Sequence, residues 1–151
     1  MLKNIDPLLT PELLQVMAAM GHGDELAVVD ANFPAGSVAL GTGHGRVVPL
    51  AGVSMPEAVR AILTLLPLDD FVGTPVRRMA TADNAPDELP EAQREVQAVI
   101  DRAAGRPWPT GALARFDFYE AARNSYAVVL TGERRYYGNV LIRKGAIPPD
   151  V

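Results

Sequence analysis

The chain has 151 residues, 48% of them hydrophobic and 21% charged, with no cysteine. Fourteen basic residues against eighteen acidic ones give a net charge of −4, which lacks the basic footprint of sequence-independent nucleic-acid binding. The same composition excludes a disulfide framework and any thiolate nucleophile or metal site, and no stretch approaches the roughly 20 apolar residues that span a bilayer.

The opening MLKNIDPLLTPELLQ has no long apolar run behind its lysine, so no secretory signal is expected. The expectation is one soluble, cytoplasmic domain over residues 1–151, long enough to bury a core. A first helix is predicted from Thr10 to about Met20. Thr10 can cap it, Pro11 suits its first position, and Glu12 opposes the positive end of the dipole. Leu13, Met17 and Met20 form its apolar stripe, and Gly21 is the expected left-handed terminator. Leu26-Ala27-Val28-Val29 reads as a strand buried on both faces of a parallel or mixed sheet.

Residues 34–49 read as a glycine-rich loop in which His44 is solvent-exposed; GTGHG is not a phosphate cradle, because no helix start follows it. Ser54-Met55-Pro56-Glu57 is a capping box for a second helix with Val59, Ile62, Leu63 and Leu66 inward, ending before Pro67. TPVRRMAT (74–81) supplies a strand, and DNAPDELP (83–90) a polar loop. A third helix follows over 90–104, with Val96, Val99, Ile100 and Ala103 inward. After the GRPWPTG loop come a brief strand at 112–115, a short helix in DFYEAARNS, and the strands YAVVLTG and NVLIRKG, joined by the polar, aromatic ERRYYGN. Such alternation predicts a layered α/β fold.

The residues able to carry chemistry are His22, Asp30, Arg115, Tyr119, Tyr137 and Asn139. Each also has a plain structural reading. His22 can be a polar turn residue, Asp30 a cap for the turn before Phe33-Pro34, Arg115 a partner for Glu120, and the tyrosines packing residues with wet hydroxyls. Asp30 stands just beyond the carboxyl end of a strand, where ligands gather in α/β sheets. There is no serine-histidine-acid pattern, metal-ligand spacing or dinucleotide fingerprint. The residues by themselves indicate a small polar ligand.

LLTPELLQVMAAMGHGDELAVVDANFPA, RFDFYEAARNSYAVVLTGE and TGERRYYGNVLIRKG together resemble the L-fucose mutarotase and D-ribose pyranase family (RbsD/FucU), with the fucose branch the nearer. The resemblance covers nearly the whole chain and is weakest in the middle third. It implies a single three-layer α/β/α domain with a mixed, largely parallel sheet. Two departures are Asn32, where some bacterial fucose enzymes have histidine, and the glycine-rich insert at 41–45. The implied activity interconverts sugar anomers by ring opening and closure, with no cofactor and no metal.

On the family's pattern His22 matches the proton donor, with Asp30 as its catalytic partner, and Asp30, Arg115 and the Tyr137-Gly138-Asn139 run match substrate-binding positions. Tyr119 joins them only by its spacing from Arg115. Asp30 would accept from the sugar or from His22. The implied partners are a monosaccharide, L-fucose or a relative, and further copies of the chain in a ring, often a decamer. Two other readings stand beside this one: D-ribose pyranase activity, or a non-catalytic monosaccharide-binding accessory of a transport system. At about 3.3 Å per strand residue, residues 22 and 30 lie roughly 20 Å or more apart if the chain between them is extended. Either the Gly21-His22-Gly23 loop folds back or two subunits build one site. The expectation is the shared site, with the YGN loop donated by a neighbour.

Overall fold

The computed structural model describes residues 1–81 and 89–150. In chain order these form α1 (Pro11–Ala19), β1 (Glu25–Val29), α2 (Ala35–Ala39), β2 (Val47–Leu50), α3 (Met55–Leu63), β3 (Val76–Met79), α4 (Glu91–Ala104), β4 (Gly111–Leu113), α5 (Arg115–Arg123), β5 (Ala127–Thr131) and β6 (Val140–Arg143). The polar loop expected at 83–90 lies, up to residue 88, outside the described residues.

Capping chemistry starts α1 and α3 where the residue types predict. The Thr10 hydroxyl accepts from the Leu13 N–H at 3.2 Å, and the Glu57 carboxylate takes the Ser54 N–H at 3.1 Å and its hydroxyl at 2.6 Å. The end of α1 differs from expectation. Met20 leaves the helix in an extended conformation (φ −63°, ψ 138°), and the left-handed residue is Gly23 (φ +87°), not Gly21. The left-handed turn comes two residues later, where the Gly23 N–H bonds the Lys144 carbonyl just before β1.

Six strands form one sheet in the order β2-β5-β1-β6-β3-β4. Five run in one direction; β6 is antiparallel to both its neighbours, with Val28 opposite Val140 and Glu25 opposite Arg143. Side chains alternate faces along each strand. Leu26, Val28, Val129, Val140 and Ile142 meet α1, α3 and α4 on one side, while Ala27, Val29, Val128 and Leu141 meet α2 and α5 on the other. The architecture is therefore three layers around a mixed, mostly parallel sheet. Fully burying each such aliphatic side chain is worth about 1.5–3 kcal/mol.

Three local expectations fail. Residues 34–49 contain α2 and β2, whose five and four residues are too short for a period to show beside the glycines. His44 is not an exposed loop residue. Its side chain is 14% exposed, and its Nε2 lies 3.0 Å from Glu12 Oε1, which also accepts from Arg46 Nε at 2.7 Å. That tie joins residues 32 positions apart, so no local pattern announces it. On α4, Ala103 faces solvent and the inward position goes instead to the polar Gln93.

Candidate functional site

Because five strands run one way and β6 the other, the carboxyl ends of β1, β3 and β4 and the amino end of β6 share one rim of the sheet. Asp30 follows β1, Met79 ends β3, Arg115 opens α5 just past β4, and Asn139 precedes β6. These residues, with Phe33, Tyr119, Tyr136 and Tyr137, line an open cavity of about 390 Å³. A larger cavity of about 550 Å³, between α1 and the Leu65–Pro67 and Lys144–Ile147 segments, has an apolar lining. Its one cationic group, Lys144 Nζ, is spent on the Met17 and Met20 carbonyls at the end of α1, so it offers no comparable chemistry.

Within the polar cavity the antiparallel register puts Asn139 beside Asp30. The Asn139 Nδ2 donates to Asp30 Oδ2 at 2.9 Å, and its Oδ1 accepts from the Asp30 N–H at 2.9 Å. The Asn32 N–H donates to Asp30 Oδ1 at 3.0 Å. Both Asp30 and Asn139 are buried. Burial pushes the Asp30 carboxyl above its ordinary range, and the bonds from Asn32, Asn139 and the Gly138 N–H pull back without cancelling it. A side chain at Gly138 would displace Glu133, since a Cβ there would stand 2.9 Å from Glu133 Cγ; Asp30 Cβ, at 3.5 Å, would be in ordinary contact. Arg115 and Tyr119 lie four residues apart on α5, so they share its face toward the cavity, with the guanidinium carbon 5.9 Å from the tyrosine ring centre. Phe33 closes the floor edge-on to Tyr119 at 5.3 Å between ring centres.

The loop from β5 to this cavity is tied down by charge. Glu133 Oε1 accepts from Arg135 Nε at 2.9 Å, Oε2 from the Met55 N–H at 3.3 Å, and Arg135 also grips both Glu95 oxygens at 3.0 Å. The Arg135 guanidinium, outweighing burial, holds the Glu133 carboxyl at about 2 against an ordinary 4.5. A depressed carboxylate stabilises the fold fully above its unfolded value and stops doing so as pH falls through its folded value. The expected result is a stability gap between the protein and Glu133→Gln of at most about 3 kcal/mol above pH 5. The gap should close between about pH 4.5 and 2 in denaturant titrations; one that persists at pH 2 contradicts the assignment.

His22 lies at the other end of β1. Its Nε2 is 3.1 Å from Asp69 Oδ1, and its ring packs 5.3 Å from Phe71. Asp69 is 1% exposed and also accepts from Arg143 Nε at 2.9 Å and from the Phe71 N–H at 3.1 Å. Burial favours its neutral form, but the His22, Arg143 and Phe71 bonds outweigh burial and hold it below the usual carboxylate range. An ionised Asp69 has no proton to give, so His22 Nε2 carries the hydrogen and Nδ1 is left for other work. His22 itself remains 47% exposed.

Asp30, Arg115, Tyr119, Tyr137 and Asn139 are thus brought together, with Gly138 behind them, and His22 is not brought to them. The five residues of β1 separate the two groups by about 17 Å of strand. The Gly21–Gly23 turn does not fold back; the Gly23 N–H bonds the Lys144 carbonyl at the amino end. Sequence reasoning missed Asp69, Met79 and Glu133. Only pairing between distant segments brings them to these positions, and a Leu-Asp-Asp behind a proline was the sole local hint of the first.

Residues 3–147 match the model of the RbsD / FucU transport protein family. The chain is 39% identical over 150 residues to the fucose mutarotase of Bos taurus, across 98% of this chain and 95% of that protein. It superposes on the crystal structure of protein Atu2016 with a TM-score of 0.95 at 48% identity, covering 98% of this chain and 97% of the other. The fucose mutarotase of Streptococcus pneumoniae, solved in complex with L-fucose, gives a TM-score of 0.85 at 33% identity, over 97% of this chain and 100% of that one.

Proposed function

The chain belongs to the RbsD/FucU transport protein family, and from that premise we propose that it is a sugar mutarotase acting on L-fucose or a close stereochemical relative. One observation carries the reading: a polar cavity with aromatic walls at the carboxyl rim of the sheet, built on the reciprocal Asp30–Asn139 pair. A monosaccharide offers hydroxyls in both donor and acceptor roles and apolar C–H faces. Asp30 accepts, Arg115 and Asn139 donate, and Tyr119 and Tyr137 supply flat surface.

The reaction opens a cyclic hemiacetal. A base removes the anomeric hydroxyl proton while an acid protonates the ring oxygen; the aldehyde turns, and the ring closes on its other face with the protons returned. Charge and oxidation state are unchanged, so the chemistry calls for no cofactor and no metal. His22 is the proton donor. Asp69 holds its Nε2–H, the proton given to the ring oxygen is the one Nδ1 carries in the doubly protonated ring, and Asp30 takes the anomeric hydroxyl proton until the ring recloses and both protons return.

His22 serves the cavity of a neighbouring subunit in a cytoplasmic homo-oligomeric ring, of ten chains on the family pattern. Two surface features support a shared site. Phe71 beside His22 is 77% exposed, and Phe116 and Tyr136 beside the cavity are 72% and 76% exposed. Exposed aromatics flanking two half-sites suit an interface.

The test is saturation-transfer NMR between anomeric protons across a panel of unlabelled sugars. Accelerated exchange of L-fucose or a relative is expected, unaffected by chelators. Unchanged rates across the panel with folded protein, or loss of activity on chelation, would overturn the proposal.

A further inference from the structure

Helix α4 reaches the cavity through one buried side chain that the mechanism above does not use. Gln93 is 3% exposed and lies on the face of α4 that also carries Ala92, Val96 and Ile100. An apolar residue would serve that face at lower desolvation cost, since a buried amide is tolerated only when its hydrogens are bonded. Both are. The Gln93 Nε2 donates to the Met79 carbonyl and to the Tyr137 carbonyl, each at 2.7 Å, and its Oε1 accepts from Arg78 Nη1 at 3.3 Å.

Both carbonyls belong to residues that line the cavity. Tyr137 stands at φ +61°, a left-handed conformation that a bulky L-residue adopts only where its surroundings impose it. The next residue, Gly138, packs so closely on Glu133 that a Cβ would stand 2.9 Å from its Cγ, with Asp30 Cβ in ordinary contact at 3.5 Å. The turn is therefore confined by Asp30 and Glu133 on one side and held by Gln93 on the other.

We infer that Gln93 is a positioning residue for sugar binding: its bond to the Tyr137 carbonyl maintains the left-handed turn that presents Tyr137 and Asn139 to the cavity. The inference rests on the mutarotase reading for its kinetic consequences, but not for its structural ones. Gln93 stands beside the binding cavity and not beside His22, so its loss weakens binding and leaves proton transfer in bound complexes alone.

Gln93→Leu removes both donors and suits the helix face; Gln93→Glu keeps the shape and places an acceptor against two carbonyls. Both are expected to raise the apparent KM for L-fucose exchange about tenfold, with kcat within about twofold of the parent. Glycine holds a positive φ unaided, so in a Tyr137→Gly background the further effect of Gln93→Leu should shrink to less than about twofold. An unchanged KM, an equal fall in kcat, or full additivity with Tyr137→Gly overturns the inference. Should Gln93→Leu fail to fold, Gln93→Glu supplies the same comparison.

If the parent protein exchanges no sugar, the mutarotase reading has failed and the inference is read by amide hydrogen exchange. Faster exchange at residues 137–139 in the variant, with β1 and β5 unchanged, upholds it; unchanged exchange at 137–139 overturns it.

Discussion

Replacing His22 with alanine is expected to slow anomer exchange at least tenfold, and toward a hundredfold or more if it supplies the whole general-acid contribution. The fold should survive. The side chain is 47% exposed, stands in a turn between two glycines, and gives up one hydrogen bond, worth about 1 kcal/mol, and a tilted ring contact with Phe71. Thermal unfolding should therefore move little while the exchange rate collapses. Asp69→Asn is the informative companion. It keeps an oxygen for His22 but removes the charge that Arg143 and the imidazole share, so the rate should fall with a changed pH profile and little change in apparent KM. A His22→Ala protein that turns over normally assigns the proton to another group, with a cavity tyrosine first in line.

Mixing two dead proteins should give a live one. His22→Ala subunits and Asn139→Ala subunits are each expected to be nearly inactive. If every site takes His22 from one chain and the Asp30–Asn139 cavity from its neighbour, random exchange of equal amounts restores about one site in four. The expectation is driven by distance: β1 holds the two groups at opposite ends, and nothing among the described residues of one chain brings them together. Asn139 is buried and bonded to the Asp30 backbone, so its removal can disturb the fold. Arg115→Ala, at an exposed position in the same cavity, provides a second pairing with less structural cost. Mixtures that stay inactive while light scattering shows a large assembly retain the ring and eliminate the shared site.

What could be read along the chain was whatever neighbouring residues decide among themselves. The Thr10 cap, the Ser54/Glu57 box, the apolar runs of β1, β5 and β6, and the alternation of helices and strands that marks a layered α/β fold are all written in stretches of a few residues, and the structure reproduces them. Resemblance across spaced motifs gave Asp30, Arg115 and Asn139 a common sugar-binding role, and the fold gathers them on one rim. The tertiary structure decided the rest. The reversal of β6 alone pairs Asp30 with Asn139, 109 positions away, and carries Arg143 to the other rim, where it meets Asp69, 74 positions away. Gln93 is hydrophilic by composition and buried by geometry, because the carbonyl at the end of β3 and one from the loop before β6 converge on the face of α4 it occupies. The separation of His22 from Asp30 is of the same kind. Spacing in the sequence allowed either a returning loop or a rigid strand, and the paired backbone of β1 between β5 and β6 holds it straight.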